Sequence, residues 1–153
     1  MSLAVPGDER EHPERPWVGV GVIVWRDDQV LLIKRGRPPR RGEWGIPGGA
    51  QALGETIFET AIREVLEETG ISIRPTAIVT AIDSITPGRD GKVLYHYTLI
   101  EVSAEWVAGE AVAASDVEDV CWAARDRVAG CVGWSETARI VAEAGLRRDA
   151  RPP

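Results

Sequence analysis

Residues 49–71, GAQALGETIFETAIREVLEETGI, predict a single amphipathic helix that ends just before Gly70. Glu64, Glu67 and Glu68 are spaced i, i+3 and i+4, so they lie close together on one side of that helix. They occupy its last turn, where the partial negative charge of a helix C-terminus favours cations. Three acids that oppose this preference indicate a position where function overrides local stability.

The opposite side of this helix, which we predict over residues 55–69, is apolar and is expected to pack on the protein core. Its members are Phe58, Ala61, Ile62, Val65 and Leu66. The alternative interpretation is an ordinary solvated helix that is rich in glutamate. The apolar side argues against it, and so do the glycines at 48, 49 and 54, which follow the segment WGIP at 44–47.

The acidic side of the helix needs a positive partner if its carboxylates lie close together. Two carboxylates about 4 Å apart repel each other by roughly 4 kcal/mol at an effective dielectric near 20. Arg63, with Glu59 at i−4 and Glu67 at i+4, can neutralise one acid. A divalent metal is the natural partner for the others, and oxygen ligands favour Mg²⁺ or Mn²⁺.

The spacing of the complete segment resembles the Nudix box, the signature of a family of nucleotide hydrolases. Five residues separate Gly49 from Glu55, seven more precede Arg63-Glu64-Val65, and single residues separate this from Glu67-Glu68 and then Gly70-Ile71. The resemblance extends more loosely over residues 16–145. It implies an α/β fold, the Nudix α/β/α sandwich, in which a mixed β-sheet lies between helices.

The resemblance also implies roles for the residues of the box. A Mg²⁺ ion, with Mn²⁺ as the alternative, would be held by the carbonyl of Gly49 and by Glu64, Glu67 and Glu68. Arg63 would hold a glutamate in place, and Glu55 would ligate or orient. The reaction implied is hydrolysis of a nucleoside diphosphate linked to a further group.

The box does not identify the general base, because in some family members it lies in the box and in others in a later loop. Here the segment SDVEDV at 115–120 supplies the acidic cluster of the later region. We take Glu118 as the candidate catalytic base. A solvated acid at the start of a strand is the alternative interpretation.

The substrate depends on residues outside the box. Pro87, 16 residues beyond its end, resembles the proline of ADP-ribose-cleaving Nudix enzymes, and RGRPP at 35–39 and His96-Tyr97 resemble a bacterial ADP-ribose pyrophosphatase-like group. In the basic loop 34–41, Arg35 and Arg37 are candidate phosphate contacts. An adenine ring should stack on an aromatic side chain. The candidates are Trp17, Tyr95, Tyr97 and Trp134, of which we favour Trp17 and Tyr97.

We therefore expect a metal-dependent pyrophosphohydrolase that converts ADP-ribose to AMP and ribose 5-phosphate. One alternative shares the chemistry but cleaves nucleoside triphosphates, including oxidised ones. The alternative of another class is a non-catalytic Nudix domain that senses a nucleotide. Such domains usually accompany a DNA-binding domain or lack acids of the box, and neither feature occurs in this sequence.

Composition limits the remaining classes. The 153 residues suit one domain, predicted over 16–146 between a flexible tail at 1–15 and a polar tail at 147–153. A net charge of −6 argues against a nucleic-acid partner, and no apolar run is long enough for a membrane span. No signal peptide is evident, and two cysteines suggest reduced thiols in the cytoplasm. A small nucleotide is the expected partner, and the family resemblance suggests a homodimer.

The rest of the sequence predicts the elements around the helix. We expect strands over residues 17–25, 29–34, 72–84, 92–102 and 117–123, a turn at 86–91 and a final helix at 134–145. Along the strand at 92–102, the period of two places four side chains on one face. They are Tyr95, Tyr97, Leu99 and Glu101.

Overall fold

A mixed β-sheet of seven strands forms the centre of the protein, and the computed structural model describes the chain over residues 9–152. The strands are β1 (Trp17–Arg26), β2 (Gln29–Arg35), β3 (Trp44–Gly45), β4 (Gly48–Ala50), β5 (Ser72–Pro87), β6 (Val93–Ala108) and β7 (Val117–Ala124). The helices are α1 (Ile57–Thr69), α2 (Val128–Cys131) and α3 (Ser135–Asp149), with a 3₁₀ turn at Arg125–Arg127. The main path runs β3-β2-β1-β6-β5, while β4 pairs with β1 and β7 with β2.

Strand β1 lies in the middle of the sheet and is buried on both faces. It runs parallel to β6 and antiparallel to β2 and β4. Because successive side chains point to opposite faces, Val20, Val22 and Val24 belong to the core beneath α1, whereas Ile23 and Trp25 belong to the core beneath α3. Helices on both faces of a mixed sheet confirm the predicted α/β/α sandwich.

Helix α1 is turned further toward its acidic side than the sequence suggested. The buried positions include Ala61 and Val65, as predicted. The other members of the predicted apolar side are partly exposed: Phe58 at 38%, Ile62 at 41% and Leu66 at 51%. That part of the prediction was wrong, because the helix buries Thr60, Ala61, Val65 and Thr69 and partly buries Glu64 and Glu68 instead. This rotation carries two glutamates toward the sheet.

The ends of α1 are set by local signals. The Thr56 hydroxyl accepts a hydrogen bond from the backbone N–H of Glu59 at 3.1 Å, which caps the N-terminus. Gly70 adopts the left-handed conformation at φ 74° and donates to the carbonyl of Leu66 at 2.9 Å. The helix therefore begins at Ile57 rather than at residue 55, and it ends where Gly70 predicts.

Two other elements differ from the sequence-based expectation. Strand β5 continues to Pro87, past register shifts near Pro75, so the predicted turn starts later. Helix α3 extends to Asp149 rather than stopping at residue 145. In the predicted N-terminal tail, residues 1–8 lie outside the described part; within 9–15, His12 N–H donates to the Leu94 carbonyl at 2.9 Å. None of the helices described over residues 9–152 is long and apolar enough to span a membrane.

Candidate active site

A cavity of about 400 Å³ lies beside the C-terminal half of α1 and continues onto the face of the sheet that α3 covers. A cavity of this size is typical of small-molecule sites. Its acidic side consists of Gly48, Gly49, Glu64, Glu67 and Glu68. Its sheet side consists of Tyr97, Leu99, Glu101, Trp134 and Thr137. The basic loop lies at the same opening, so the cavity joins three regions that are distant in sequence.

The acidic side is built by the contact between α1 and β4. The backbone N–H of Gly48 donates to Oε1 of Glu68 at 2.8 Å. The Glu64 carboxylate lies directly against Gly49, where any Cβ would overlap it. Glycine at 49 therefore lets β4 approach Glu64 closely, and glycine at 48, where a Cβ would overlap the carbonyl of Val20, lets β4 approach β1.

Arg63 is the only arginine on α1, and it holds several of these acids. Its Nε donates to Oε2 of Glu55 at 2.6 Å. Its Nη1 donates to Oε1 of Glu64 at 2.8 Å and to Oε2 of Glu67 at 3.3 Å. A further bond of 3.1 Å to the carbonyl of Ala50 ties it to β4. Hydrogen bonding from Arg63 lowers the pKa of Glu55 to about 2. The observed partner of Glu55 is thus Arg63, which favours an orienting role.

The acids deeper in the site are destabilised as anions. Burial raises the pKa of the Glu68 carboxyl to about 8, against the opposing effect of the Gly48 N–H, and nearby Glu64 raises it further. Burial also raises the pKa of Glu64 despite its bond to Arg63. Ionising these carboxyl groups together is therefore unfavourable without a cation, and a bound cation would favour their charged forms.

The residues of the acidic side fit a hard divalent cation in their chemistry. All the donors are carboxylate or carbonyl oxygens, which Mg²⁺ and Mn²⁺ prefer, and a cation would offset the cost of ionising carboxyl groups that lie so close together. Over residues 9–152, no three acidic, histidine or cysteine side chains converge as a ready-made metal site. The reason is visible in the contacts, because Glu67 is turned toward Arg63 and Glu68 toward Gly48.

The basic loop gives the cavity its positive charge. The Arg35 side chain is mostly buried, and its Nε donates to the carbonyl of Pro39 at 2.7 Å. Burial lowers the pKa of Arg35, while the charge of Glu68 raises it; a guanidinium stays protonated in proteins. Arg37 forms an ion pair of 2.7 Å with Asp116, and the Arg40 guanidinium stacks on the Trp134 ring at 4.0 Å.

Most of the predicted site residues meet at the cavity. Its lining includes Gly49, Arg63, Glu64, Glu67, Glu68, Arg35, Arg37 and Tyr97. Asp116, from the later acidic segment, also lines it. The structure therefore brings together the predicted metal ligands, both candidate phosphate contacts and one of the two favoured aromatic rings.

Three predicted site residues do not line this cavity, and their roles stay predictions. The Glu118 side chain is 41% exposed on β7 and faces Arg41 at 3.8 Å, because alternation along the strand turns Val117 inward instead. Pro87 is exposed at the end of β5. Trp17 lines a separate shallow depression beside residues 51–55.

Glu101 lines the cavity and was not singled out from the sequence. It is 3% exposed, and its Oε2 has no hydrogen-bond partner in the described part of the chain. The available signal was its place on the same strand face as Tyr97 and Leu99, two other lining residues. Burial raises the pKa of this carboxyl to about 7.

Comparisons with known proteins agree with this geometry. The family model described as the NUDIX domain matches residues 15–143. An ADP-ribose pyrophosphatase of Methanocaldococcus jannaschii is 34% identical over 106 residues, which is 68% of this chain and 59% of that protein. A putative 8-oxo-dGTP diphosphatase 2 of Mycobacterium tuberculosis is 32% identical over 76% of this chain and 83% of its own length.

Among solved structures, a MutT NUDIX hydrolase from Burkholderia pseudomallei superposes with a TM-score of 0.71 at 30% identity. The match covers 85% of this chain and 98% of that one. The M. jannaschii match, by contrast, leaves about two fifths of the relative outside the alignment.

Proposed function

Because this chain belongs to the Nudix family, we propose that it is a metal-dependent pyrophosphohydrolase that cleaves ADP-ribose to AMP and ribose 5-phosphate. The observation that carries the proposal is the cavity itself. It places the acidic side, with Glu68 at its buried end, opposite the guanidinium of Arg35. A diphosphate substrate uses both parts of the cavity. Its oxygens are anionic and repel the oxygen of an attacking water, so a cation held by the acidic side and the guanidinium of Arg35 must offset their charge.

In the proposed reaction, water attacks one phosphorus, the bridging P–O bond breaks, and two phosphate monoesters leave with the proton of the water taken up by a carboxylate. A divalent cation would be held by Glu64, Glu67, Glu68 and the Gly49 carbonyl, and when bound it would supply charge neutralisation and a more acidic water. Arg63 keeps two of those acids oriented. Arg35 neutralises charge on the diphosphate.

ADP-ribose is supported by the name of the M. jannaschii relative, an ADP-ribose pyrophosphatase, and by Tyr97 and Glu101 on the sheet side of the cavity. A second candidate is a nucleoside triphosphate, including an oxidised one, because the M. tuberculosis relative is named a putative 8-oxo-dGTP diphosphatase.

Cys121 and Cys131 are free thiols, which supports a reducing, cytoplasmic location.

The deciding experiment is a substrate panel with product analysis. The protein is incubated with ADP-ribose, dGTP and 8-oxo-dGTP in Mg²⁺, in Mn²⁺ and in a chelator, and the products are separated by anion-exchange chromatography. We expect equal amounts of AMP and ribose 5-phosphate with metal and none with the chelator. Faster release of pyrophosphate from the triphosphates would establish the second candidate instead.

A further inference from the structure

Glu101 is a buried acid that faces the cavity with one oxygen unsatisfied. It lies on β6, between Gly21 on β1 and Thr80 on β5. Over residues 9–152, its Oε2 is the buried side-chain oxygen or nitrogen that lacks a hydrogen-bond partner. Buried polar atoms are nearly always paired in folded proteins. An unpaired one in the wall of a ligand cavity indicates a partner that arrives with the ligand.

The fold reserves space for this carboxyl group. It lies over Gly21, where any Cβ would overlap Oε2 and would also come within 3.1 Å of Ile46. Gly21 in turn pairs with Gly48 of the acidic side. Glu101 thus sits one strand away from the proposed reaction centre, next to Tyr97 and Leu99 rather than among the other acids.

The environment of Glu101 favours its uncharged form. Among the described residues no arginine or lysine forms an ion pair with it, and burial is the cause that raises its pKa to about 7. An uncharged carboxyl group presents one O–H donor beside one C=O acceptor, whereas a carboxylate presents acceptors alone. The uncharged form therefore matches a planar ligand edge that carries an acceptor beside a donor.

We propose that Glu101 is a specificity-determining residue whose uncharged carboxyl group recognises the acceptor–donor edge of an adenine base. Adenine offers such an edge, with a ring nitrogen as acceptor beside the 6-amino donor. Guanine also presents an acceptor, O6, beside a donor, N1–H, but it adds a 2-amino donor for which the uncharged carboxyl group has no second acceptor in line. Tyr97 and Leu99 flank the base in this arrangement. The inference rests on the proposed function, since it assigns the base of the same substrate.

The test uses two variants that separate hydrogen bonding from charge. In Glu101→Gln the side-chain amide keeps a donor beside an acceptor and removes the possibility of ionisation. In Glu101→Leu the side chain keeps a similar volume but has neither a hydrogen-bond donor nor an acceptor. Glu110→Gln, an exposed acid outside the cavity, is the matched control. Binding of AMP, purine riboside 5′-phosphate and ribose 5-phosphate is measured by isothermal titration calorimetry at about pH 6, below the raised pKa of Glu101.

We expect wild type, Glu101→Gln and Glu110→Gln to bind AMP within about threefold of one another, and Glu101→Leu to bind it at least about tenfold more weakly, because one lost buried hydrogen bond has roughly that effect. Ribose 5-phosphate, which lacks a base, should bind all four proteins equally. Wild type should bind purine riboside 5′-phosphate, which lacks the 6-amino group, about tenfold more weakly than AMP. This last measurement needs no variant to fold.

Three results would overturn the inference. In the first, Glu101→Gln loses AMP binding as fully as Glu101→Leu, which would mean that the ionised carboxylate is used. In the second, Glu101→Leu binds AMP like wild type. In the third, Glu101→Leu binds ribose 5-phosphate more weakly to the same extent as AMP, which would mean that Glu101 acts on the phosphate or the sugar and not on the base. Failure of the proposed function looks different: ADP-ribose is not hydrolysed, although AMP binding still depends on Glu101.

Discussion

The acidic side and the sheet side of the cavity both contain buried glutamates, but their surroundings differ. On the acidic side, Glu68 accepts a hydrogen bond from a backbone N–H and lies near Glu64 and Arg35. On the sheet side, Glu101 has apolar and aromatic neighbours and an oxygen without a partner among the described residues. The Glu68 carboxyl group thus belongs to a cluster of charged side chains, whereas the Glu101 carboxyl group has no charged neighbour among its described contacts.

This difference teaches that carboxyl groups in one cavity are given different tasks by their environment rather than by residue type. Where titratable groups have contrasting surroundings, their protonation states and roles separate. Crowding on the acidic side calls for a cation. Isolation on the sheet side calls for a neutral hydrogen-bonding partner. If the two sides are this distinct, substitutions on the acidic side should affect turnover, and substitutions on the sheet side should affect binding of the base.

The largest effect is expected from Glu68→Gln on the acidic side. Loss of this carboxyl group should lower kcat for ADP-ribose by about 10³-fold, or ~4 kcal/mol, because it removes a proposed metal ligand. The metal-free variant should stay folded, since glutamine still accepts from the Gly48 N–H and no charge is buried. Glu59→Gln, an exposed acid in the first turn of the same helix, is the control and should leave kcat unchanged. Unchanged turnover in Glu68→Gln would refute the metal assignment.

The second prediction concerns pH and the sheet side. The pKa of Glu101 is raised from 4.5 to about 7 in the folded protein, so the folded state holds this proton more tightly than the unfolded state. The stabilisation is full below pH 4.5 and is lost as pH rises through about 7. Between pH 4.5 and 8 the free energy of unfolding should fall by about 3 kcal/mol from this group alone.

The measurement is urea unfolding of metal-free protein at several pH values, comparing wild type with Glu101→Gln. Glu68 contributes a fall of the same sign to both proteins, so the difference between them isolates Glu101. A glutamine cannot ionise, and the curve of this variant should therefore be flatter. Parallel curves would show that Glu101 has an ordinary environment and would remove the contrast between the two sides.

The acidic side could be predicted from the sequence because its residues are close along the chain. Helical spacing alone places Glu64, Glu67 and Glu68 together, and Gly70 ends the helix as expected. The rotation of α1 could not be predicted, since it depends on how β4 approaches the helix. A preference for apolar burial favoured Phe58 and Leu66, but close packing at the glycines turned the glutamates inward.

The sheet side depends on contacts between distant segments. Glu101 meets the cavity through its pairing with Gly21, 80 positions earlier in the chain. Strand alternation predicted its face correctly, yet nothing local indicated that its carboxyl would lack a partner. Glu118 illustrates the opposite case. Its acidic segment was identified, but the register of β7 with β2 turned Glu118 outward and left Asp116 at the cavity.

A third, smaller effect is expected from the arginine between the two sides. Arg35→Gln should lower kcat/KM for ADP-ribose by roughly 10- to 100-fold, because a buried guanidinium that faces the diphosphate is lost. Arg41→Gln, an exposed member of the same loop, should change it by less than about twofold, as exposed charges contribute little. Equal effects in the two variants would mean that the loop acts only through its overall charge.

The smallest effect is expected from the later acidic segment, where Asp116→Asn and Glu118→Gln form a matched pair. Asp116 lines the cavity and holds Arg37 at 2.7 Å, whereas Glu118 faces solvent and a distant guanidinium at 3.8 Å. We expect Asp116→Asn to lower kcat by about tenfold, below the 10²–10⁴ of a general base, because a positioning contact is weakened while the box acids remain. Glu118→Gln should leave kcat unchanged.

A 10³-fold loss of kcat in Asp116→Asn would make Asp116 the general base and extend the acidic side to this loop. A comparable loss in Glu118→Gln alone would restore the sequence-based assignment and require the loop to rearrange when substrate binds.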